Sequence, residues 1–197
     1  MVDFTGIAAV GSSLTRFLTQ AFNAHPPIGV GPTGVVLART EDLDVEDGPL
    51  INPPMLSLFL YRVEANSARR PGSAALGGYR GRAQLPLDLH FLMIPWGDNA
   101  DQEYRILGRT LQVLEDAPIL TGPRLDPVTD WAAGDRIQVC LADLSTEDLM
   151  RVFDSLPIDY KLCVPYVARV VLVDGHVEAP DPDVATAEAR TAPEVAQ

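Results

Sequence analysis

The sequence predicts an α+β fold, a mixed and mainly antiparallel sheet packed with about three helices. Three observations carry that expectation. Apolar residues switch between period-two and period-3.6 stretches in the order α-β-β-β-α-β-α-β. Strands dominate the middle of the chain, and one helix splits them. The stretch 55–63 is apolar on both faces, which places it inside a sheet covered on two sides. No internal repeat is visible.

Residues 5–23 form the first expected helix. Ile7, Val10, Leu14, Phe17, Leu18 and Phe22 share one face. Thr5 is the expected N-cap, and Pro26-Pro27 ends the helix because proline removes a backbone donor. Val35–Thr40 is a short strand. Residues 41–54 are acidic and proline-rich, hence a surface loop. Met55–Val63 is a strong strand. Unbroken alternation puts Leu56, Leu58, Leu60 and Arg62 on one face and Ser57, Phe59, Tyr61 and Val63 on the other.

Residues 64–83 hold Arg69, Arg70, Tyr79, Arg80 and Arg82 among four glycines. They read as a long mobile loop and as the only locally basic part of the chain. Leu85–Ile94 is the next strand. Leu85, Leu87, Leu89, Phe91 and Met93 face one way; Pro86, Asp88, His90, Leu92 and Ile94 face the other. Pro86 fits near a strand start or edge, and Pro95-Trp96-Gly97 ends the strand.

Asp98–Asp116 is the clearest helix, with Asp98 as cap and Asp101 at the third position. Its expected stripe is Tyr104, Leu107, Leu111 and Leu114, with Ile106 and Val113 beside it. Gly108 within it suggests close packing against another backbone, since glycine costs roughly 1 kcal/mol against alanine there. Ile119–Asp135 reads as loop, anchored by Trp131. Arg136–Leu144 is a strand. Ser145 caps a third helix with Asp148 three residues on; Leu149, Val152, Phe153 and Leu156 form its buried face, and Pro157 closes it. Leu162–Val173 is the last strand, interrupted by Pro165. Residues 1–175 therefore form one domain. Residues 176–197 are an acidic, Pro/Ala-rich tail without the apolar content to order itself.

The chain has 197 residues, 47% of them hydrophobic and 21% charged, enough to bury a core. Lys+Arg 15 against Asp+Glu 27 gives a net charge of −12. Such a surface repels nucleic acid and anionic membranes, and no apolar run of about 18 residues is present to span a bilayer. Two cysteines, Cys140 and Cys163, lack C-x-x-C spacing, and no signal peptide is apparent. A cytoplasmic protein fits. The basic residues are arginines except Lys161, which reads as coding bias.

Catalytic motifs are missing from the sequence. It holds no G-x-S-x-G, no phosphate-binding loop, no H-E-x-x-H and no dinucleotide fingerprint. His25, His90 and His176 match no ligand spacing. Asp88 and His90 share a strand face and could serve a small hydrolase; as a plain polar pair they need no chemistry. Asp42, Asp44, Glu46 and Asp47 faintly suggest a calcium loop but lack its glycine and closing glutamate. Cys140 and Cys163 read as small core residues, and no cofactor or metal is implied.

A set of segments in fixed order carries a resemblance. These are Leu60–Asn66, Leu85–Leu92, Tyr104–Leu114, Pro118–Leu120, Leu144–Leu149, Tyr160–Leu162 and Tyr166–Val171. Together they resemble the cap, or tail-terminator, family of extracellular contractile injection systems of the antifeeding-prophage type, once a domain of unknown function. The likeness runs from about residue 2 to 175. Phe91 stands in a stretch usually richer in aromatics, Phe153 stands for a tryptophan, and Ser67-Ala68-Arg69-Arg70 only loosely follows a basic pattern.

The resemblance implies a tail-terminator-like fold and a non-enzymatic role. Six copies would form a ring at the end distal to the baseplate, closing the inner tube and joining the last sheath layer. The implied partners are the chain itself, the tube protein and the sheath protein, with no nucleic acid and no membrane insertion. A baseplate or spike adaptor of the same particle is the alternative. Arg69, Arg70, Tyr79, Arg80 and Arg82 are the candidate contact residues, because mobile loops on a rigid sheet often carry binding.

Overall fold

Helix α1 (Gly6–Ala24) buries Val10, Leu14, Leu18 and Phe22 along one face, as the 3.6-residue period requires. The computed structural model describes residues 2–29, 31–44, 50–69 and 84–174. Thr5 does not cap α1 with its side chain. Its amide and hydroxyl instead donate to Asp3 Oδ1, at 2.9 and 2.5 Å, which also holds the Asp3 carboxyl below its ordinary pKa.

The remaining elements are β1 (Gly34–Ala38), a 3-10 turn (Thr40–Leu43), β2 (Met55–Ala65), β3 (Gln84–Trp96), α2 (Ala100–Asp116), β4 (Ile119–Thr121), a second 3-10 turn (Gly122–Arg124), β5 (Arg136–Leu141), α3 (Thr146–Phe153) and β6 (Val164–Asp174). One sheet of six strands results, in the order β1-β2-β3-β6-β5-β4. Only β1 and β2 pair in parallel; the other four pairings are antiparallel. The mixed, mainly antiparallel expectation holds.

Three layers bury two cores. On one face α1 and α2 cover Leu56, Leu58, Leu89, Phe91, Met93, Val139 and Ala168. On the other, α3 and the 3-10 turn that follows β1 cover Phe59, Leu92, Ile94 and Trp96, with Leu43 and Phe153 inserted from outside the sheet and Ile51 packed beside them. Strand β2 thus lies in the covered interior, as its two apolar faces require. The acidic 41–54 stretch is not wholly surface: Leu43 is fully buried, and Asp42 accepts hydrogen bonds from the backbone N–H and Nε of Arg39.

Several local expectations are corrected. The β2–β3 register shifts between Leu60 and Arg62, so Tyr61 is an extra residue in a β-bulge. Alternation breaks there. Arg62 pairs with His90 and Glu64 with Asp88, so both share the face of those polar partners rather than the core face of Leu60. Asn99, not Asp98, caps α2, accepting from Gln102 N at 3.1 Å. The buried stripe of α2 is Ile106, Leu107, Thr110, Val113 and Leu114, while Tyr104 is exposed. Gly108 is on the exposed side, and a Cβ there would meet nothing within 4 Å.

Close approach occurs instead at Gly97, where a Cβ would lie 2.8 Å from Gln102 Cβ and 3.1 Å from Glu103 N. Strand β3 runs through Pro95 and Trp96, and β6 runs through Pro165, both paired in the ladder. The 119–135 segment contains β4, which pairs with β5. Its remainder is clamped to α1: Asp126 N donates to Ser13 Oγ, and Arg16 donates to the Leu125 carbonyl. Trp131 anchors it as expected, donating Nε1–H to the Asp126 carbonyl at 2.6 Å. The Ser145 cap on Asp148 N is present at 3.1 Å. The expected tail, 176–197, lies outside the described residues.

Candidate functional site

Past the paired ends of β2 and β3, Asn66 folds the chain back onto the sheet. Its backbone N–H donates to the Pro86 carbonyl, and its Nδ2 reaches both Asp88 carboxylate oxygens at 2.9 and 3.0 Å. Its Oδ1 then accepts from Arg69 N at 2.9 Å. This small network fixes where Arg69 leaves the sheet. Strands β5 and β6 stay paired from Leu141↔Tyr166 to Gln138↔Arg169 and then part. The gap is a groove of about 840 Å³. Arg69, Arg136 and Arg169 line it, with Asn66, Gln138 and one acid, Asp135, over apolar Ile137 and Val171.

All three arginines are exposed, and none has an ion-pair partner among the described residues. Other basic side chains are occupied elsewhere. Arg16 is held on the Pro123 and Leu125 carbonyls, Arg109 on Gln112 and Arg124 over the Phe17 ring, without a carboxylate. The following ones are held on carboxylates. Arg39 meets Asp42, Arg62 meets Glu64, Arg105 meets Asp101, and Arg151 meets Glu147. Lys161 sits 2.5 Å from Glu103, both largely buried. In a chain of net charge −12, three unpaired arginines in one groove form a local positive field open to an acidic partner.

Of the sequence-predicted contact residues, Arg69 lies in this groove. Arg70, Tyr79, Arg80 and Arg82 lie outside the described residues. Arg136 and Arg169 were not anticipated. They stand singly on separate strands, and only the β5–β6 pairing brings them beside Arg69.

The Asp88–His90 pair shares a face but not a partner. Asp88 is held by Asn66, whereas His90 Nε2 lies 3.1 Å from Glu64 Oε2 and its ring meets Tyr61 edge-on, centroids 6.0 Å apart. Each side chain is committed to a different neighbour, which is the geometry of a polar strand surface rather than of a relay. In the suggested calcium loop, Asp42 is occupied by Arg39, and Glu46 and Asp47 lie outside the described residues. Among the described residues no three His, Cys, Asp or Glu side chains gather as a metal site, and no helix is long and apolar enough to cross a membrane.

Burial sets the chemistry of two titratable groups. It pushes the Cys163 thiol from its ordinary 9.0 up to about 12, which makes it a poor nucleophile. Burial first, then the charges of Glu115 and Cys140, push the Tyr166 phenol from 10.0 up to about 12. Both groups are favoured neutral in the fold. Stability should therefore be level below about pH 9 and fall as pH rises through 9–12, by up to ~1.4 kcal/mol per pH unit for each group. Denaturant titration at stepped pH checks this. Tyr166→Phe should remove the part of the fall between pH 10 and 12; an unchanged profile would contradict the assignment. The Tyr166 hydroxyl has no hydrogen-bond partner among the described residues, so the same variant should not destabilise at neutral pH.

The layers and strand order define a three-layer α+β domain built on one mixed, mainly antiparallel sheet. Two solved structures share this fold. One is the sheath/tube terminator of the PVC extracellular contractile injection system in its extended state: TM-score 0.53, 16% identity, covering 92% of this chain and 64% of that one. The other is the tube-terminating cap of the anti-feeding prophage: TM-score 0.54, 13% identity, covering 94% of this chain and 60% of that one. The chain belongs to the Pvc16 N-terminal domain family, whose profile matches residues 9–186. It spans less than two thirds of the length of the two solved chains. No curated protein matches the sequence.

Proposed function

We propose that this chain is a structural cap, ending the inner tube of a phage-tail-like contractile injection particle and joining its terminal sheath layer. The observation that carries the reading is a fold shared with two tube-terminating proteins over more than nine tenths of this chain. Physics supports it. A tube built from stacked rings offers the same heterologous interface at every step and has no intrinsic end. A terminator must match the last layer on one side and present no copy of that interface on the other. That task needs shape and charge, and no catalysis, cofactor or metal. The copies form a closed ring, six to match a hexameric tube, at the end distal to the baseplate, in particles assembled in the cytoplasm. Tube and sheath proteins are its partners; with a net charge of −12, nucleic acid is not.

Particles assembled without this chain should show tubes and sheaths of unregulated length by electron microscopy. Particles of normal, capped length would overturn the reading. Label found at the baseplate end would assign the chain to an adaptor instead.

A further inference from the structure

We propose that the groove between β5 and β6, through Arg69, Arg136 and Arg169, receives the acidic edge of a second copy of this chain. The proposal rests on the ring reading and names the contact that would close the ring. The opposite side of the molecule carries the complementary charge. A cleft between the Thr40–Leu43 turn and the end of α3 is lined by Glu41, Asp42, Asp44 and Asp154 against a single arginine, Arg39. Arg39 lies against both Asp42 and, at 3.6 Å, Glu41, so one guanidinium faces four carboxylates; Glu41 is largely exposed and Asp154 lies open on the surface.

The two charged regions cannot neutralise each other within one molecule. Strands β2, β3 and β6 lie between β1, whose end leads into the acidic cleft, and the groove. Three strand spacings are roughly 14 Å, beyond a Debye length of about 8 Å at physiological ionic strength. Between molecules the match is direct. Groove and cleft are different surfaces, so pairing one with the other is heterologous and head-to-tail, the contact type that generates rings. Charge complementarity also excludes the alternative pairings, since groove against groove and cleft against cleft both repel.

Sedimentation of the full-length chain over a range of concentration and salt tests this. Wild type should self-associate at low salt and at least ~10-fold more weakly at high salt. Arg136→Glu/Arg169→Glu and Glu41→Lys/Asp154→Lys should each stay monomeric where wild type associates. An equal mixture of the two variants should give a one-to-one dimer and nothing larger, because each keeps one competent surface. Arg136→Gln/Arg169→Gln serves should the reversal impair folding.

Wild type monomeric at all concentrations in low salt would overturn the proposal, as would association indifferent to both variants. A chain ending at residue 175 that associates at least ~10-fold more strongly than the full chain would give the groove to the acidic tail, and would also overturn it. The capping reading fails separately. Particles of normal length without this chain would sink that reading and leave the sedimentation result standing.

Discussion

Leu89→Asp should abolish the folded state, whereas His90→Gln at the next residue should cost less than about 1 kcal/mol. Leu89 is fully buried, pairs with Val63 on one side and Ala168 on the other, and lies in the core beneath α1 and α2. A carboxylate there has no cation within the apolar cluster and must either ionise without solvent or be buried protonated. Either costs several kcal/mol, against a total stability of about 5–15 kcal/mol for a domain of this size. His90 points to the opposite face, where its partner is Glu64 at 3.1 Å; glutamine keeps a donor near that carboxylate. Soluble yield and denaturant titration read the contrast. A folded Leu89→Asp variant of near wild-type stability would show the β3 register to be wrong. Arg62→Leu adds a control, because the Tyr61 bulge has already moved Arg62 off the face of the Leu89 core and its side chain is exposed, so the change fills no position in that core and should leave stability near that of wild type.

Much of this architecture was legible in the sequence, for identifiable reasons. Strands β2, β3 and β6 are long and rich in branched and aromatic residues, and α1 repeats its apolar residues at helical spacing; such patterns survive in any context. The ordered segments from Leu60 to Val171 pointed to one family; the profile match places the chain in the Pvc16 N-terminal domain family, and the two solved structures that share its fold are terminators of contractile injection systems.

What stayed hidden depends on partners distant in sequence. Nothing local distinguishes Tyr61 from its neighbours as a bulge residue; the mismatch appears only once β2 is laid against β3. Strand β4 has three residues and exists because β5 offers it a ladder. The α2 stripe turned away from Tyr104 because the sheet beneath accommodates Ile106 and Val113, and the apolar period alone does not fix which flank of a broad stripe is buried. Asn99 displaced Asp98 as the cap because α2 begins one residue later, at Ala100, which sets the Asn99 side chain over the free Gln102 amide. The arginine groove was half-seen through Arg69. Its other members come from single positions on β5 and β6, and no spacing rule connects residues 69, 136 and 169.

Trp96→Ala should cost about 3–5 kcal/mol, while Trp96→Phe should cost about 1–3 kcal/mol through a different cause. Trp96 ends β3, is 4% exposed, and forms part of the second core with Phe59, Ile94 and Phe153. Its ring does three jobs. It fills the space beneath α3; its Nε1–H donates to the buried Ser57 Oγ at 2.8 Å; and its face carries the Lys161 ammonium 4.8 Å from the ring centroid. Lys161 in turn holds Glu103 in the first turn of α2. One indole therefore links the second core, the approach to β6 and the start of α2. Alanine removes all three links and leaves a cavity. Phenylalanine keeps most of the volume and a face for Lys161 but strands the Ser57 hydroxyl, whose remaining contact is the Ile94 carbonyl at 3.5 Å. The double variant Trp96→Phe/Ser57→Ala should then recover part of the loss, because both polar partners are gone and nothing buried is left unpaired. Chemical denaturation of the four chains separates the terms. A double variant no more stable than Trp96→Phe alone would show that ring volume, not the buried hydrogen bond, makes Trp96 necessary.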